Sequence, residues 1–210
     1  MLTLYIGNKN YSSWSLRPWL VLRHFDIPFE EVLWPLYTPE GTALLKANSP
    51  NGKVPLLQDD ALKVWDSLAI IEYLADRHPG HAIWPRDRAI RAHARAISAE
   101  MHSGFAGVRG SMPMDVRSRL PQPVFSEAVQ LEIQRIIAIW EDCRARYAAS
   151  GPWLFGEFSA ADAMFAPVVW RFRSYGIALP EASAAWSSAM QQHLAMRHWE
   201  LEAIAEPWTL

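Results

Sequence analysis

The hydrophobic pattern of the chain changes once, near residues 80–86, from short mixed segments to long helical ones. Before that point, compact apolar runs typical of buried strands alternate with segments whose apolar residues recur every three or four positions. After it, every long segment has the helical period only. The pattern therefore predicts two domains joined by a linker, an α/β domain over residues 1–80 and an all-α domain over residues 87–210.

Seven elements are predicted before the change. They are strands at Leu2–Ile6 and Phe29–Trp34, helices at Leu16–Phe25, Pro39–Asn48 and Ser67–Arg77, and a hairpin that pairs Val54–Gln58 with Ala61–Trp65. The order β-α-β-α-β-β-α contains one parallel crossover and one antiparallel hairpin, so we expect a mixed sheet covered by helices. After the change, helices are predicted over residues 87–109, 126–149, 160–174, 184–193 and 197–205.

Composition narrows the class of protein. Half of the 210 residues are hydrophobic and a fifth are charged, which is typical of a folded chain with a sizeable core. The net charge of −2 gives no reason to expect nucleic acid or an anionic membrane as a partner. No apolar run approaches the length of a membrane span, and residues 1–6 lack the basic start of a signal peptide. We therefore expect a cytoplasmic protein.

The cysteine and histidine patterns argue against covalent cross-links and metal sites. Cys143 is the only cysteine, so the chain can form neither an internal disulfide nor a multi-cysteine metal centre. The histidines have no spacing that suggests zinc, and we expect no metal. A Cys-x-x-Cys motif and a Gly-x-Ser-x-Gly elbow are both absent from the sequence, which excludes a thioredoxin-type oxidoreductase and disfavours a serine hydrolase.

Two helix starts carry side chains that suit an anion. Ser12 and Ser13 lie between the first strand and the first helix, where unpaired N–H groups and the positive end of the helix dipole favour negative charge. Asp66 and Ser67 precede the third predicted helix in the same way. Each pair can equally be a helix cap, and the two interpretations are compatible for Asp66 and Ser67. The spacing Ser159-x-x-Asp162 predicts a capping box, which is a folding element.

Four segments resemble, in order, the pattern of the glutathione S-transferase family. The segments are Asn10–Arg17 (NYSSWSLR), Asn48–Pro55 (NSPNGKVP), Asp66–Leu74 (DSLAIIEYL) and Gly156–Asp162 (GEFSAAD). The resemblance covers essentially the whole chain and is closest to the serine-type zeta class, which is maleylacetoacetate isomerase-like, and its bacterial relatives. It implies a thioredoxin-like glutathione-binding domain followed by an all-helical domain for the second substrate, and a symmetric homodimer.

The resemblance also implies roles for individual residues in the first domain. Ser12 would stabilise the thiolate of glutathione, the co-substrate that supplies the nucleophile, with Ser13 as a neighbouring donor. The backbone of Val54, before a cis Pro55, would pair with the cysteinyl part of glutathione. Lys53 would reach a carboxylate, or is simply solvated. Asp66 and Ser67 would hold the γ-glutamyl end. Trp14 occupies the position of a family cysteine, which makes thioltransferase chemistry less expected.

The second-substrate pocket is expected where the helical domain faces Ser12. Four residues are predicted to share one face of the first long helix; they are Met101, His102, Phe105 and Arg109. Met101 and Phe105 can equally be core residues. Arg171 and Arg173 are weaker candidates, because the position of the substrate-binding arginine of the zeta-class isomerase, counted from Pro167, is Ser174.

Three functions remain open. The first is conjugation of glutathione to small hydrophobic electrophiles, and the second is glutathione-dependent cis-trans isomerisation of a dicarboxylic substrate. The third is a binding module that has lost turnover. Consumption of glutathione separates the first two, and the intact serine, Val-Pro and Asp-Ser segments argue against the third.

Overall fold

The computed structural model of the chain describes residues 1–121 and 123–209. The first half contains β1 Leu2–Ile6, α1 Ser13–His24, β2 Phe29–Leu33, α2 Pro39–Asn48, β3 Leu56–Asp59, β4 Leu62–Trp65 and α3 Ser67–Arg77. The second half contains α4 Arg88–Ser103, α5 Ala106–Ser111, α6 Glu127–Tyr147, a 3₁₀ turn at Ala148–Ser150, α7 Ala160–Ser174, α8 Glu181–Gln192 and α9 Leu194–Ala205. This is the predicted fold class, a β-α-β-α-β-β-α unit followed by helices.

The four strands form one mixed sheet in the order β2-β1-β3-β4. β1 is parallel to β2, with Leu2 opposite Phe29, and antiparallel to β3, which in turn pairs with β4 as a hairpin. Leu4 and Ile6 of β1 are fully buried, because alternate residues of a strand point to the same face of the sheet. The chain leaves the end of β1 at Gly7 and enters α1 through the loop that carries Ser12.

Several helices begin earlier than the apolar spacing predicts. α1 begins at Ser13 rather than Leu16, because Ser12 takes the N-cap position and the polar residues after it continue the helical turn. α8 begins at Glu181, directly after Pro180, and α9 begins at Leu194, directly after His193. The apolar stripe alone therefore locates these helices but not their first turns.

The predicted helix over residues 87–109 is wrong, because the structure has two helices there. α4 ends at Ser103, Gly104 is its C-cap, and Phe105 is in the left-handed region with φ 59°. The side chain of Arg109, from α5, donates to the carbonyl oxygens of Met101 and His102 at the end of α4. These carbonyls have lost their helical partners, so the arginine replaces the hydrogen bonds that a longer helix would have made.

The two halves of the chain pack through α1. This helix contacts α3 in its own half and both α7 and α9 in the other. Trp19 on α1 and Trp199 on α9 are fully buried, with ring centroids 5.0 Å apart. α7 is buried along nearly its whole length, as expected of a helix at the centre of a domain. Within the described ranges, no helix is both long and apolar enough to cross a membrane.

The predicted capping element at the start of α7 is confirmed. The carboxylate of Asp162 accepts hydrogen bonds from the backbone N–H of Ser159 at 2.9 Å and of Leu154 at 2.9 Å, and from the indole N–H of Trp186 at 2.8 Å. Burial raises the pKa of Asp162 to about 6, and these donors oppose the rise. The cap therefore ties the start of α7 to the preceding loop and to α8.

Candidate functional site

Two buried hydroxyl groups, of Ser12 and Ser13, lie where the serine loop, residues 7–12, meets the start of α1. Ser12 is the N-cap of the helix, and its backbone N–H donates to the carbonyl oxygen of Asn8 at 2.8 Å. Its hydroxyl lies 2.7 Å from the hydroxyl of Ser15 and makes no cap hydrogen bond to the helix backbone. Ser13 is the first helical residue. Ser12 therefore has the backbone position of an N-cap, but its side chain bonds to Ser15 instead of to the backbone of the first turn.

The serine loop is held by residues distant in sequence, Arg117 and Glu206. The carboxylate of Glu206 accepts the backbone N–H of Lys9 at 2.5 Å and that of Asn10 at 3.0 Å. The side-chain oxygen of Asn10 accepts the backbone N–H of Arg117 at 2.9 Å, and the Arg117 guanidinium donates to the carbonyl oxygens of Glu206 and Trp208. Because Lys9 and Asn10 are buried, these bonds replace water at the loop.

The side chain of Lys9 adds a buried charge to the same attachment. Its ammonium pairs with Glu31 at 2.5 Å and with Glu202 of α9. It also lies over the rings of Trp19 and Trp199, at 5.1 and 5.5 Å from their centroids. The ammonium is thus paired on two sides by carboxylates and enclosed by aromatic rings, which compensates for its loss of water.

The five residues predicted to bind glutathione surround one cavity of about 240 Å³. Its lining residues are Trp14, Asn51, Lys53, Val54, Pro55, Asp66 and Ser67. The Val54–Pro55 peptide bond is cis, as the family resemblance implies. Ser12 and Ser13 are not among the lining residues, but Trp14, which follows them, is. The serine pair is therefore adjacent in the chain to a residue that lines the cavity, without lining it.

Asp66 and Ser67 form the start of α3. Asp66 is the N-cap and accepts the backbone N–H groups of Leu68 at 2.9 Å and Ala69 at 3.3 Å. Its other carboxylate oxygen lies 3.2 Å from Nε2 of His102. Ser67 is fully buried, and its hydroxyl accepts from Arg17 at 3.4 Å. The capping role of Asp66 is thus present, and the fully buried Ser67 borders the cavity.

The four residues predicted for the second-substrate pocket separate into two pairs. Met101 and Phe105 are 2% and 7% exposed and belong to the hydrophobic core, which is the alternative that the sequence left open. His102 and Arg109 instead contact Trp14. The ring centroids of His102 and Trp14 are 5.3 Å apart, and Cζ of Arg109 lies 4.6 Å from the indole centroid. Burial lowers the pKa of His102, and Asp66 opposes this shift.

Three arginines, Arg17, Arg109 and Arg171, form what we call the arginine cluster around Trp14 and Ser13. Cζ of Arg17 lies 4.4 Å from the Trp14 centroid, and Nη2 of Arg171 donates to the Ser13 hydroxyl at 3.1 Å. Burial, with repulsion from Arg109 as a second cause, lowers the pKa of Arg17 to about 9 and that of Arg171 to about 10. The cluster makes this side of the site strongly positive.

Sequence reasoning gave Arg17 no role and treated Arg171 as a weak candidate. A signal existed for each. Arg17 follows Ser13 by four residues, so the two share a face of α1. Arg171 is a charged residue within the apolar run Val168–Phe172, and a charge in a buried helix needs a partner. The partner of Arg171 lies 158 positions away, and no local pattern could identify it.

Two family models match the chain. Residues 11–77 match the glutathione S-transferase N-terminal domain, and residues 124–194 match the glutathione S-transferase C-terminal domain. A probable maleylacetoacetate isomerase of Caenorhabditis elegans is 40% identical over 102 residues, which are 49% of this chain and 47% of that protein. The glutathione S-transferase GstB of Escherichia coli K12 is 26% identical over 181 residues, covering 84% of this chain and 86% of the relative.

The solved structures give the same fold. A glutathione transferase homologue from Burkholderia, crystallised with bound glutathione, superposes with a TM-score of 0.76 at 23% identity, over 98% of this chain and 99% of that one. At this identity the likeness concerns the fold alone. Together, the two matched domains cover more than half of the chain and follow the order of its α/β and helical halves. The chain therefore belongs to the glutathione S-transferase family.

Proposed function

We propose that the protein transfers glutathione to small hydrophobic electrophiles through a thiolate that a serine at the start of α1 stabilises. The observation that carries the proposal is that residues from the first turns of two helices, α1 and α3, line one cavity, and a helix start favours anions. Asp66 and Ser67 stand at the start of α3, and Trp14 is the second residue of α1, directly after Ser13. Residues 1–80 would bind glutathione, and residues 87–210 would contribute the electrophile pocket.

In this proposal, glutathione occupies the cavity in an extended conformation. The Val54 backbone would pair with the cysteinyl residue, and the start of α3, with Ser67 and Asp66, would hold the γ-glutamyl end. Lys53 is exposed at the rim, so its ammonium can reach a glutathione carboxylate. The relative from Burkholderia was solved with glutathione bound, which supports this choice of co-substrate.

The chemistry needs a thiolate at neutral pH. A free cysteine thiol has a pKa of ~8.5, so only a few per cent is ionised at pH 7. A hydroxyl donor, the dipole of α1 and the arginine cluster all favour the charged form. The thiol gives its proton to solvent, and the thiolate attacks the electrophilic carbon. A C–S bond forms: at an aryl halide the halide departs with the electron pair of the broken bond, and at an enone the π bond breaks and the resulting enolate takes a proton from solvent.

The test combines binding with turnover. We expect calorimetric binding of glutathione in the micromolar to millimolar range, and consumption of glutathione with at least one activated aryl halide or enone. Replacing both Ser12 and Ser13 by Ala should lower turnover far more than affinity, because the hydroxyls act on the charged thiolate. The absence of any heat with millimolar glutathione, in a protein that melts cooperatively, would refute the proposal.

A second candidate is glutathione-dependent isomerisation, and Arg171 favours it. The expected position of a substrate-binding arginine, Ser174, carries no charge, but Arg171 lies one helical turn earlier and contacts Ser13. A cation there can bind the carboxylate of a cis-unsaturated diacid. The named function of the nematode relative points the same way. Isomerisation leaves the glutathione concentration unchanged while the substrate absorbance changes, so a thiol assay separates the two reactions.

We also propose a symmetric homodimer in the cytoplasm. Leu62 and Trp65 of strand β4, at the edge of the sheet, are 50% and 45% exposed, which leaves an apolar edge available to a second copy. Two-fold homodimers are the commonest soluble oligomers. Sedimentation at micromolar concentration should give twice the mass of the chain, and a monomer alone would contradict this. Cell fractionation tests the compartment.

A further inference from the structure

The hydrogen bond between Arg171 and Ser13 has only one possible direction. A guanidinium carries donors and no acceptor, so Arg171 Nη2 donates and the Ser13 oxygen accepts, at 3.1 Å. Both residues are at least nine-tenths buried. The other guanidinium nitrogen, Nη1, is held by the carbonyl oxygens of Arg109, at 3.3 Å, and Met112. Ser13 is therefore a fixed acceptor, and its own hydroxyl proton remains available to a further partner.

The hydroxyl of Ser12 is in a different situation. It shares one hydrogen bond with the Ser15 hydroxyl, at 2.7 Å, and Ser15 also accepts the backbone N–H of Gly7 at 3.2 Å. These contacts direct the Ser12 hydroxyl toward the end of β1 and the interior of α1. The Ser12 hydroxyl is thus engaged within the serine loop and α1, whereas the Ser13 hydroxyl is held from α7, by a partner that can only donate.

We propose that Arg171 is a positioning residue that fixes Ser13 as a hydrogen-bond acceptor and so frees the Ser13 proton for the glutathione sulfur. On this proposal, which rests on the proposed function, Ser13 rather than Ser12 is the hydroxyl that stabilises the thiolate. The family resemblance assigns that role to Ser12, so the two assignments give opposite results in the experiment below.

The charge around Ser13 supports the same assignment. Arg17 and Arg109 lie within 4.6 Å of the ring centroid of Trp14, the residue after Ser13, and Arg171 contacts Ser13 itself. The three guanidinium groups repel one another, which contributes to the lowered pKa of Arg17. An anion bound at the Ser13 hydroxyl relieves this repulsion, so the site favours a thiolate over a neutral thiol.

The experiment titrates the thiol of bound glutathione by its ultraviolet thiolate absorbance, together with kcat/KM at pH 7. We expect Arg171→Met and Ser13→Ala each to raise the pKa of the bound thiol by about one unit and to lower kcat/KM about tenfold. The double variant should be no worse than either single one, because both remove the same oriented proton. Ser13→Thr, which retains the hydroxyl, should restore most of the loss, and Ser12→Ala should shift the pKa by less than Ser13→Ala.

Two further variants separate positioning from a structural role. Arg171→Lys keeps a cation, but one ammonium cannot reproduce the fork that holds two carbonyl oxygens and Ser13. We therefore expect Arg171→Lys to raise the pKa of the bound thiol as Arg171→Met does. Arg173→Lys is the matched control on the same helix; its partners are Glu200 and the Val116 carbonyl oxygen, and it should titrate like the parent protein. If Arg171→Met does not fold, Arg171→Lys and Ser13→Ala carry the test.

The possible outcomes are distinct. A folded Arg171 variant that binds glutathione and titrates like the parent overturns this inference and leaves the proposed function intact. The inference is also overturned if Ser12→Ala raises the pKa of the bound thiol by the whole expected unit while Ser13→Ala leaves that pKa unchanged. A parent protein that binds no glutathione overturns both proposals.

Discussion

Asp162 at the start of α7 is the clearest single point at which this fold can be destabilised. In Asp162→Ala, three fixed donors lose their acceptor; they are the N–H groups of Leu154 and Ser159 and the indole N–H of Trp186. Each buried donor left unpaired costs about 1–3 kcal/mol, so together they cost about 6 kcal/mol at the middle of that range. The carboxylate is fully buried, so water does not replace it.

Part of that cost is offset by removal of a buried charge. Burial raises the pKa of Asp162 from 3.8 to about 6, and each pKa unit corresponds to ~1.4 kcal/mol, which gives about 3 kcal/mol of relief at pH 7. The net loss in the free energy of unfolding at pH 7 is therefore about 3 kcal/mol. Urea denaturation should show a midpoint lower by about 1 M with an unchanged slope.

The pH dependence gives a second check on Asp162. A carboxyl group with a raised pKa in the folded state contributes stability that is complete below its unfolded pKa and is lost as the pH rises through about 6. The difference in the free energy of unfolding between the parent and Asp162→Ala should therefore widen from about 3 kcal/mol at pH 7 to about 6 kcal/mol near pH 4. Ser126→Ala, which removes the cap of α6, is the control and should cost about 1 kcal/mol at both pH values. A difference that narrows on acidification would refute the reasoning.

Three other perturbations are expected to act locally. Ser67→Ala should weaken glutathione binding about fivefold by calorimetry, because one hydrogen bond is worth ~1 kcal/mol and the N–H at the helix start remains; unchanged affinity would exclude Ser67 from the site. Glu206→Gln keeps one of the two acceptors that hold the serine loop, so kcat should fall about threefold or more with a melting temperature close to that of the parent; an unchanged kcat would mean that the loop keeps its position without the tail. Cys143 is fully buried, and burial raises its pKa to about 12, so iodoacetamide at pH 8 should alkylate it only in denaturant.

The sequence predicted elements well wherever a local signal marks both ends. α2 at Pro39–Asn48 has proline in its first turn and a turn cluster after its end, and α3 at Ser67–Arg77 has the cap Asp66. Both have the predicted bounds. The mixed sheet followed from the same pattern, because the connections allow one parallel pair and one hairpin.

Contacts between distant segments could not be predicted in this way. α4 and α5 share the helical period, and Gly104 between them is a residue that a helix tolerates, so nothing local separates them. The break is stabilised by Arg109, which folds back onto the end of α4. The same residue reaches Trp14 through tertiary structure alone, as does Arg171 at Ser13. The part of the site nearest the serines therefore depends on the packing of α7 and α5 against α1.

The attachment of the serine loop to Glu206 has a consequence for the order in which the protein becomes active. Lys9 and Asn10 are synthesised well before their partner Glu206, which follows 197 and 196 positions later. At a synthesis rate of roughly 5–20 residues per second, the loop waits about 10–40 s for the carboxylate that holds it. The α/β half can therefore fold while the chain is still growing, whereas the serine loop reaches its final position only after α9 has left the ribosome. A nascent chain that lacks residue 206 should be able to assemble the sheet, yet it should not reach full activity.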